Sequence, residues 1–368
     1  MLTSADYEDA FLALDVCINA RVPVVLWGPP GQGKTSVVRD LAKSSGRHLE
    51  ILLASIREPQ DFGGLPTVSE STMSLIPPGW ATRLAADGNG ILFIDEVNTA
   101  PPAVQAALLR VCLDKVAGDC ELGQQTSVIA AANPPEQAAD GWDLAPALAN
   151  RFCHIEWSLP TDVVRDGLAG NWPSYQIPTV PLESVGDVIS QERILVAGFL
   201  SSRPDLTTAL PKQASEQGRA FPTPRSWEMA ADLSAWCEAL KLGESVRRVL
   251  VRGTVGQGAA VEYLTYRDNM DLPNPNDVLA NPESFPLPTR TDLIYVIGAG
   301  ALAIVRAKMT NENWAAFGKV LERFATGGHP DIAISMAREW LRIRPAKTVP
   351  DKSMLKSLVP LMKEAKLL

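Results

Sequence analysis

Nine residues near the N-terminus, GPPGQGKTS at positions 28–36, constrain the fold more than any other part of the sequence. They fit the pattern GxxxxGK[ST], whose defining positions are Gly28, Gly33, Lys34 and Thr35. An apolar run with β-branched residues (22–27) precedes the turn, and a helical pattern follows it from about residue 34 to residue 45. In such a strand–turn–helix context, backbone N–H groups point at phosphate oxygens, so the segment predicts a nucleotide-binding α/β fold.

Each residue of this turn is a candidate nucleotide contact: Gly28, Pro29, Pro30, Gly31, Gln32, Gly33, Lys34, Thr35 and Ser36. Lys34 is expected to reach the β- and γ-phosphates of ATP, and the Thr35 hydroxyl is expected to bind Mg²⁺. The alternative is a glycine-rich loop that arose by chance. The strand before the turn and the helix after it argue against that alternative.

A second apolar run, ILFIDEVN at 91–98, ends in two carboxylates. Open α/β sheets bind ligands at the carboxyl ends of their strands. We therefore expect Asp95 to hold Mg²⁺ and Glu96 to act as the general base that activates water. A strand followed by an acidic turn is the alternative, and the upstream phosphate-binding turn favours the catalytic interpretation.

Three further polar residues are candidates for the same chemistry. Asn133 ends the apolar run SVIAAA (127–132) and could bind the γ-phosphate or the attacking water, although Asn-Pro also begins ordinary turns. Arg151 could project into a neighbouring subunit's site, with Arg83 and Arg110 as rivals and a surface ion pair as the alternative. Arg225 follows Pro224 at the start of a helix and could reach the γ-phosphate, or could simply pair with Glu228.

The alternation of strand and helix patterns in the first half predicts an α/β fold, a parallel sheet with helices on both faces. Later segments are helical, except for a stretch at 270–288 with five prolines, which we interpret as a linker. The expected organisation is a nucleotide-binding core (1–160), a connecting insertion (161–186), a helical lid (187–269), the Pro-rich linker (270–288) and a C-terminal helical region (289–368).

Composition excludes several function classes. The 368 residues carry 34 Lys+Arg against 42 Asp+Glu, a net charge of −8, which disfavours a general nucleic-acid binder. Residues 338–368 nevertheless carry eight Lys/Arg and only three Asp/Glu. Five scattered cysteines and three isolated histidines argue against a disulfide scaffold or a metal centre built on them. The longest apolar stretch, 293–305, is too short for a membrane helix, so we expect a cytoplasmic chain and a buried core helix there.

Together these motifs resemble those of AAA+ ATPases, and within them the MoxR-like family. The matching segments are GPPGQGKT (28–35), ILFIDEVNTAPPAVQAALL (91–109), AAANP (130–134), LANRF (148–152) and PTPRSW (222–227). Their order agrees with Walker A, Walker B, sensor 1, arginine finger and sensor 2, and the resemblance covers about 5–267. It implies a P-loop NTPase αβα sandwich with a helical lid, usually assembled as a hexameric ring.

The resemblance also implies particular loops and partners. Residues 65–78 would be the family's insertion before the Walker B strand and 115–125 a hairpin before sensor 1, both facing the ring's pore. Members often have an acid where Arg110 stands, and 289–368 matches no motif that we can name. Such proteins commonly act as ATP-driven, chaperone-like remodelers, often with a protein that bears a von Willebrand factor A domain. This chain shows no DxSxS motif of that domain, so we expect such a partner to be a separate polypeptide.

Two other functions remain open from the residues alone. A nucleic-acid-handling AAA+ motor or loader could use the basic C-terminal end, against the acidic charge of the rest of the chain. A nucleotide-gated scaffold would bind ATP without useful turnover, which the presence of Glu96 and Asn133 disfavours.

Overall fold

The computed structural model describes residues 3–69, 72–134, 143–173, 180, 185–270 and 273–345. The chain divides into two compact units. The first contains Met1–Ile189 and Asp205–Glu262, and the second contains Ser190–Pro204 and Tyr263–Leu368.

A parallel sheet forms the centre of the first unit. Its strands are β1 Val24–Trp27, β2 Leu49–Leu53, β5 Ile91–Asp95, β8 Ser127–Ala132 and β9 Cys153–Glu156. Their spatial order is β2–β5–β8–β1–β9, and every pair is parallel. The strand that ends in Asp95 therefore lies beside the strand that leads to Asn133, as the sequence predicts.

Helices cover both faces of this sheet. Alternate strand residues such as Leu26 and Phe93 pack on one face with α1 Ser4–Ala20, α2 Lys34–Ser44, α10 Pro224–Ala239 and α11 Glu244–Val255. Residues of the opposite parity, such as Val25 and Ile94, pack with α4 Gly79–Asp87, α5 Pro102–Asp114 and the short α6 Pro146–Ala149. The strands are apolar on both sides because both sides are buried. The predicted αβα sandwich is confirmed.

The remaining elements of the first unit are short. Strands β3 Leu65–Ser69 and β4 Thr72–Ile76 form one antiparallel hairpin, and β6 Val116–Ala117 and β7 Cys120–Glu121 form another. They lie in the two segments where the resemblance implied an insertion and a hairpin. The helices α3 Gln60–Gly63, α7 Thr161–Leu168 and α9 Ala214–Gln217 connect larger elements. Helices α8 Gly186–Ser202 and α12 Gln257–Asp268 each contain a boundary between the units.

The second unit has a helical core of its own. The described helices that lie wholly within it are α13 Pro275–Ala280, α14 Thr291–Ala307, α15 Asn311–Thr326 and α16 Pro330–Arg342. The apolar stretch 293–305 lies within α14, where residues such as Ile294 and Ile297 are buried, as expected for a core helix. The indole rings of Trp314 and Trp340 stack at 4.4 Å, and each indole N–H donates to the other residue's carbonyl oxygen at 2.9 Å. The basic C-terminal stretch lies outside the described residues from 346 onward.

Two predicted boundaries differ from the structure. Residues 205–262, which we assigned to a separate lid, belong to the unit of the nucleotide-binding core, because apolar residues of α10 and α11 join the core on one face of the sheet. The stretch 270–288, which we interpreted as a linker, contains α13 and places Val278, Leu279 and Phe285 in the core of the second unit.

Candidate functional site

The phosphate-binding turn lies between β1 and α2 and depends on its glycines. Gly31 and Gly33 have φ values of 77° and 69°, in the left-handed region that favours glycine. A Cβ on Gly28 would lie 2.0 Å from the carbonyl oxygen of Trp157, so only glycine fits against the chain that follows β9. Gln32 connects the turn to the same segment after β9, because its side-chain Oε1 accepts a hydrogen bond from the backbone N–H of Leu159 at 2.8 Å. Pro30 and Ser36 are exposed.

Lys34 is held by oxygens at the carboxyl ends of two strands. Only 7 % of the residue is exposed. Its ammonium donates to the carbonyl oxygens of Gly28 and Pro29 and to Oδ1 of Asn133, the last at 3.1 Å. Burial lowers the pKa of Lys34, and the nearby carboxylates of Asp95 and Glu96 oppose that shift. The ammonium therefore lies where a phosphate could replace some of its present oxygen partners.

Thr35 and Asp95 form an oxygen pair suited to a magnesium ion. The Thr35 hydroxyl donates to Oδ2 of Asp95 at 3.0 Å. Magnesium prefers oxygen ligands and is usually bound by one or two protein groups together with phosphates and water. The donor set of these two side chains fits that preference.

Glu96 has an unusual backbone and a tethered side chain. Its φ of 54° and ψ of 42° lie in the left-handed region, which is uncommon for a residue other than glycine and is often found at functional sites. The Ser55 hydroxyl donates to Oε2 of Glu96 at 2.9 Å. Sequence reasoning missed Ser55, because it follows β2 at a point where no motif marks it.

A buried side chain connects the Glu96 turn with the end of β8. Asn98, of which only 2 % is exposed, exchanges two hydrogen bonds with the backbone of Asn133. Sequence reasoning missed Asn98 as well, although it belongs to the same ILFIDEVN segment as Asp95 and Glu96.

Five of the predicted residues therefore meet at one edge of the sheet: Lys34, Thr35, Asp95, Glu96 and Asn133. The arrangement combines a cation, an oxygen pair, a carboxylate and an amide around the phosphate-binding turn. Such a set can bind a nucleoside triphosphate and position water for attack on it.

Arg151 lies at the opposite end of the sheet, where the parallel strands begin, and Arg225 lies close to Arg151. Arg151 precedes Cys153, the first residue of β9, whereas the phosphate-binding turn follows Trp27, which pairs with Glu156 at the far end of that strand. Cys153 and Glu156 are three strand residues apart, so at about 3.3 Å per residue the two ends of β9 are separated by about 10 Å, more than the length of an arginine side chain.

The two arginines are neighbours of each other. Burial, and next the charge of Arg225, lower the pKa of Arg151. Asn150 brings them together, because its Oδ1 accepts from the Thr223 hydroxyl at 2.9 Å, just before Arg225 at the start of α10. Among the described residues, Nε of Arg151 is buried without a hydrogen-bond partner. The structure thus pairs these arginines but separates them from the five residues around the turn.

The two rival arginines differ in their surroundings. Arg83 donates to both carboxylate oxygens of Glu50, at 2.6 Å and 2.9 Å, on the edge strand β2. Arg110 is exposed on α5. The bidentate pair gives Arg83 a structural role.

Comparison with known proteins identifies the same region. Residues 23–152 match the family model of the AAA domain, dynein-related subfamily. The chain is 32% identical over 153 residues to ATPase family gene 2 protein homolog B of Rattus norvegicus, covering 36% of this chain and 19% of that protein. It is 31% identical over 109 residues to the protein MoxR of Methylorubrum extorquens, covering 29% of this chain and 32% of that protein.

These similarities are local. The chain spans about a fifth to a third of the length of these two relatives, so they describe the domain around the phosphate-binding turn. Across the part of the chain that the structure describes, no helix has both the length and the apolar character needed to cross a membrane.

Proposed function

We propose that this chain hydrolyses ATP to remodel a protein partner, because residues 23–152 match the family model of the dynein-related AAA domain and the chain is similar to the protein MoxR over 109 residues. In this proposal the partner is assembled or activated by a ring of subunits, of which a hexamer is the usual form. The observation that carries the proposal is the convergence of Lys34, Thr35, Asp95, Glu96 and Asn133 on one edge of the sheet.

In this proposal the turn and the first residues of α2 bind ATP. Backbone N–H groups of 28–36 and the N-terminal end of α2 would surround the phosphates. Lys34 would exchange carbonyl oxygens for phosphate oxygens, which its present contacts with Gly28 and Pro29 allow. Thr35 and Asp95 would hold Mg²⁺, which neutralises charge on the β- and γ-phosphates when bound.

Hydrolysis requires a base and an orienting group. Glu96 would accept a proton from the attacking water, while the amide of Asn133 would orient that water or the γ-phosphate. In the structure, Glu96 is hydrogen-bonded to Ser55 and Asn133 to Lys34. Both contacts would be exchanged for contacts with substrate, so the residues move between a resting and a catalytic arrangement.

The arginine pair explains why assembly would be needed. Arg151 lies at the end of the sheet opposite the phosphate-binding turn of its own subunit, and Arg225 lies close to Arg151. In a ring they would enter the site of the adjacent subunit and stabilise charge on the transferring phosphoryl group. We therefore propose that Arg225 acts in trans together with Arg151.

An apolar hairpin supports a protein as the partner. On one face of the β3–β4 hairpin, Val68 and Met73 form a cross-strand pair and are 75% and 69% exposed. Exposed apolar residues that cluster in this way are typical of protein-contact surfaces. A separate von Willebrand factor A domain protein that recognises the client is part of the same proposal.

The first test measures ATP turnover in the Glu96→Gln variant. We expect kcat to fall by roughly 100-fold or more, because the base is lost, while ATP still binds. A Glu8→Gln variant, on the exposed surface of α1, is the matched control. Turnover by Glu96→Gln equal to that of the wild type would reject Glu96 as the base.

The second test mixes two inactive chains. Glu96→Gln subunits retain both arginines, and Arg151→Ala subunits retain the base, so mixed rings contain some complete sites. We expect the mixture to regain turnover that neither variant shows alone. Failure of every mixing ratio to restore turnover, in rings of normal size, would contradict the trans arrangement.

The third test addresses the partner. Glu96→Gln subunits, held in the ATP state, should retain a protein that is lost when Val68→Ser and Met73→Ser are added. Recovery of nucleic acid in place of a protein would overturn the remodeling function.

A further inference from the structure

We infer that Asn98 is a positioning residue that aligns Asn133 with Glu96 for ATP hydrolysis, an inference that rests on the function proposed above. The Asn98 Nδ2 group donates to the carbonyl oxygen of Asn133 at 2.9 Å. In return, the Asn133 backbone N–H donates to Oδ1 of Asn98 at 3.1 Å. One side-chain amide thus satisfies both backbone groups of one residue.

The register of the sheet explains why this position needs a side chain. Strands β5 and β8 pair regularly up to Ile94 and Ala130, and the same register would place position 97 opposite Asn133. The backbone leaves the sheet before that point, because Glu96 turns into the left-handed region. The amide of Asn98 takes the hydrogen-bonding role that the next residues of β5 would otherwise have.

The same turn also fixes the base. The Thr99 N–H and hydroxyl both donate to the carbonyl oxygen of Glu96, at 3.0 Å and 2.8 Å. The Glu96 N–H donates to Oδ1 of Asp95 at 3.0 Å. Asn98 lies inside this short turn, so its two bonds connect the backbone that carries Glu96 to the backbone that carries Asn133.

This connection has a functional consequence rather than only a structural one. The Asn133 side chain accepts from the Lys34 ammonium in the absence of substrate, so its amide lies beside the phosphate-binding turn. Water attack requires the base and the orienting amide to be placed together within a fraction of an ångström. Asn98 would contact neither nucleotide nor water, and it acts through Asn133.

The test is a cycle of two substitutions. We expect Asn98→Ala to lower kcat by roughly 10- to 100-fold, as small misplacements of reacting groups do. The affinity for ADP should stay within about threefold, because Lys34 and the turn are unchanged. If Asn98 acts through Asn133, the double variant Asn98→Ala/Asn133→Ala should be no slower than Asn133→Ala alone.

Two further measurements separate positioning from general damage. Asn98→Asp keeps an acceptor for the Asn133 N–H but places a carboxylate oxygen against the Asn133 carbonyl oxygen, so its kcat should fall at least as far as that of Asn98→Ala. Hydrogen exchange at the Asn133 amide, measured without nucleotide, should be faster in Asn98→Ala than in wild type and in an Asn89→Ala control on the exposed surface. A fluorescent ADP titration reports whether each variant is folded.

Several results would overturn the inference. These are an unchanged kcat in Asn98→Ala, losses that multiply in the double variant, or loss of ADP affinity together with kcat. Failure of the proposed function looks different, because Glu96→Gln would then turn over ATP as fast as the wild type. Slow turnover in Glu96→Gln with normal turnover in Asn98→Ala would reject only the role of Asn98.

Discussion

The indole N–H of Trp27 donates a hydrogen bond of 2.9 Å to Nδ1 of His154, on the strand next to β1. Nε2 of the same ring lies 2.9 Å from the carbonyl oxygen of Ala149. A neutral imidazole with its proton on Nε2 satisfies both contacts. Burial lowers the pKa of His154 to about 4. The residue before the phosphate-binding turn is thus connected, through a neutral histidine, to the helix that precedes Arg151.

Acid should destabilise the protein through His154. The unfolded chain binds a proton on this residue near pH 6.5, whereas the folded chain does so only near pH 4, so protons favour the unfolded state between these values. Stability should therefore fall as pH drops from 7 to 4, by up to about 3 kcal/mol from this group. Denaturant unfolding of wild type and His154→Gln across this range measures the difference. Equal losses in both proteins would contradict the prediction.

Removal of the Thr35 hydroxyl should raise the magnesium requirement. We expect the Mg²⁺ concentration that gives half-maximal ATP turnover to be at least about tenfold higher in Thr35→Ala than in the wild type. Loss of a group around a metal commonly lowers metal affinity by this factor. Thr82→Ala removes an exposed hydroxyl that bonds within helix α4, and it should behave as wild type. A magnesium titration of ATP turnover checks both variants. Identical midpoints for Thr35→Ala and Thr82→Ala would exclude Thr35 as a ligand.

Gly28→Ala should destabilise the first unit and weaken nucleotide binding. The new methyl group would lie 2.0 Å from the Trp157 carbonyl oxygen, so β1 and the chain after β9 would have to separate. Overpacking of this kind costs about 1–3 kcal/mol. Gly258→Ala, in helix α12 with open space around it, should instead stabilise by about 0.4–1 kcal/mol. Thermal unfolding of the two variants should therefore shift in opposite directions.

Trp314→Phe should destabilise the second unit. The variant loses the indole N–H that donates to the Trp340 carbonyl oxygen and leaves that buried oxygen unpaired. We expect a loss of about 1–3 kcal/mol in the free energy of unfolding. Trp172→Phe, at a tryptophan that is 54% exposed, should stay within about 0.5 kcal/mol of wild type. Urea unfolding followed by circular dichroism compares the two, and equal effects would count against the role of the indole bond.

The local chemistry of the site could be predicted from sequence, but its connections could not. The sequence alone predicts the roles of the glycines, of Lys34 and of the carboxylates that end an apolar strand. These residues can be recognised because each turn directly follows its strand in the chain. Ser55 and Asn98 act on Glu96 and Asn133 through contacts between separate strand ends, which a single sequence does not report. The proximity of Arg225 to Arg151 likewise depends on how α10 packs.

The segment 270–288 shows that the position of a proline matters more than the number of prolines. Its five prolines favour a linker, yet Asn274 caps helix α13 and Pro275 occupies its first turn. Asparagine followed by proline is typical of a helix start, so the same residues also predict the helix that the structure contains.

The placement of functional groups at opposite ends of one sheet has a consequence for how activity depends on concentration. Each chain carries the phosphate-binding turn at one edge and the paired arginines, Arg151 and Arg225, at the other. If the arginines complete a neighbour's site, the smallest active species contains two chains. Specific activity should then decline on dilution, with a midpoint set by the dissociation of subunits and not by the affinity for ATP.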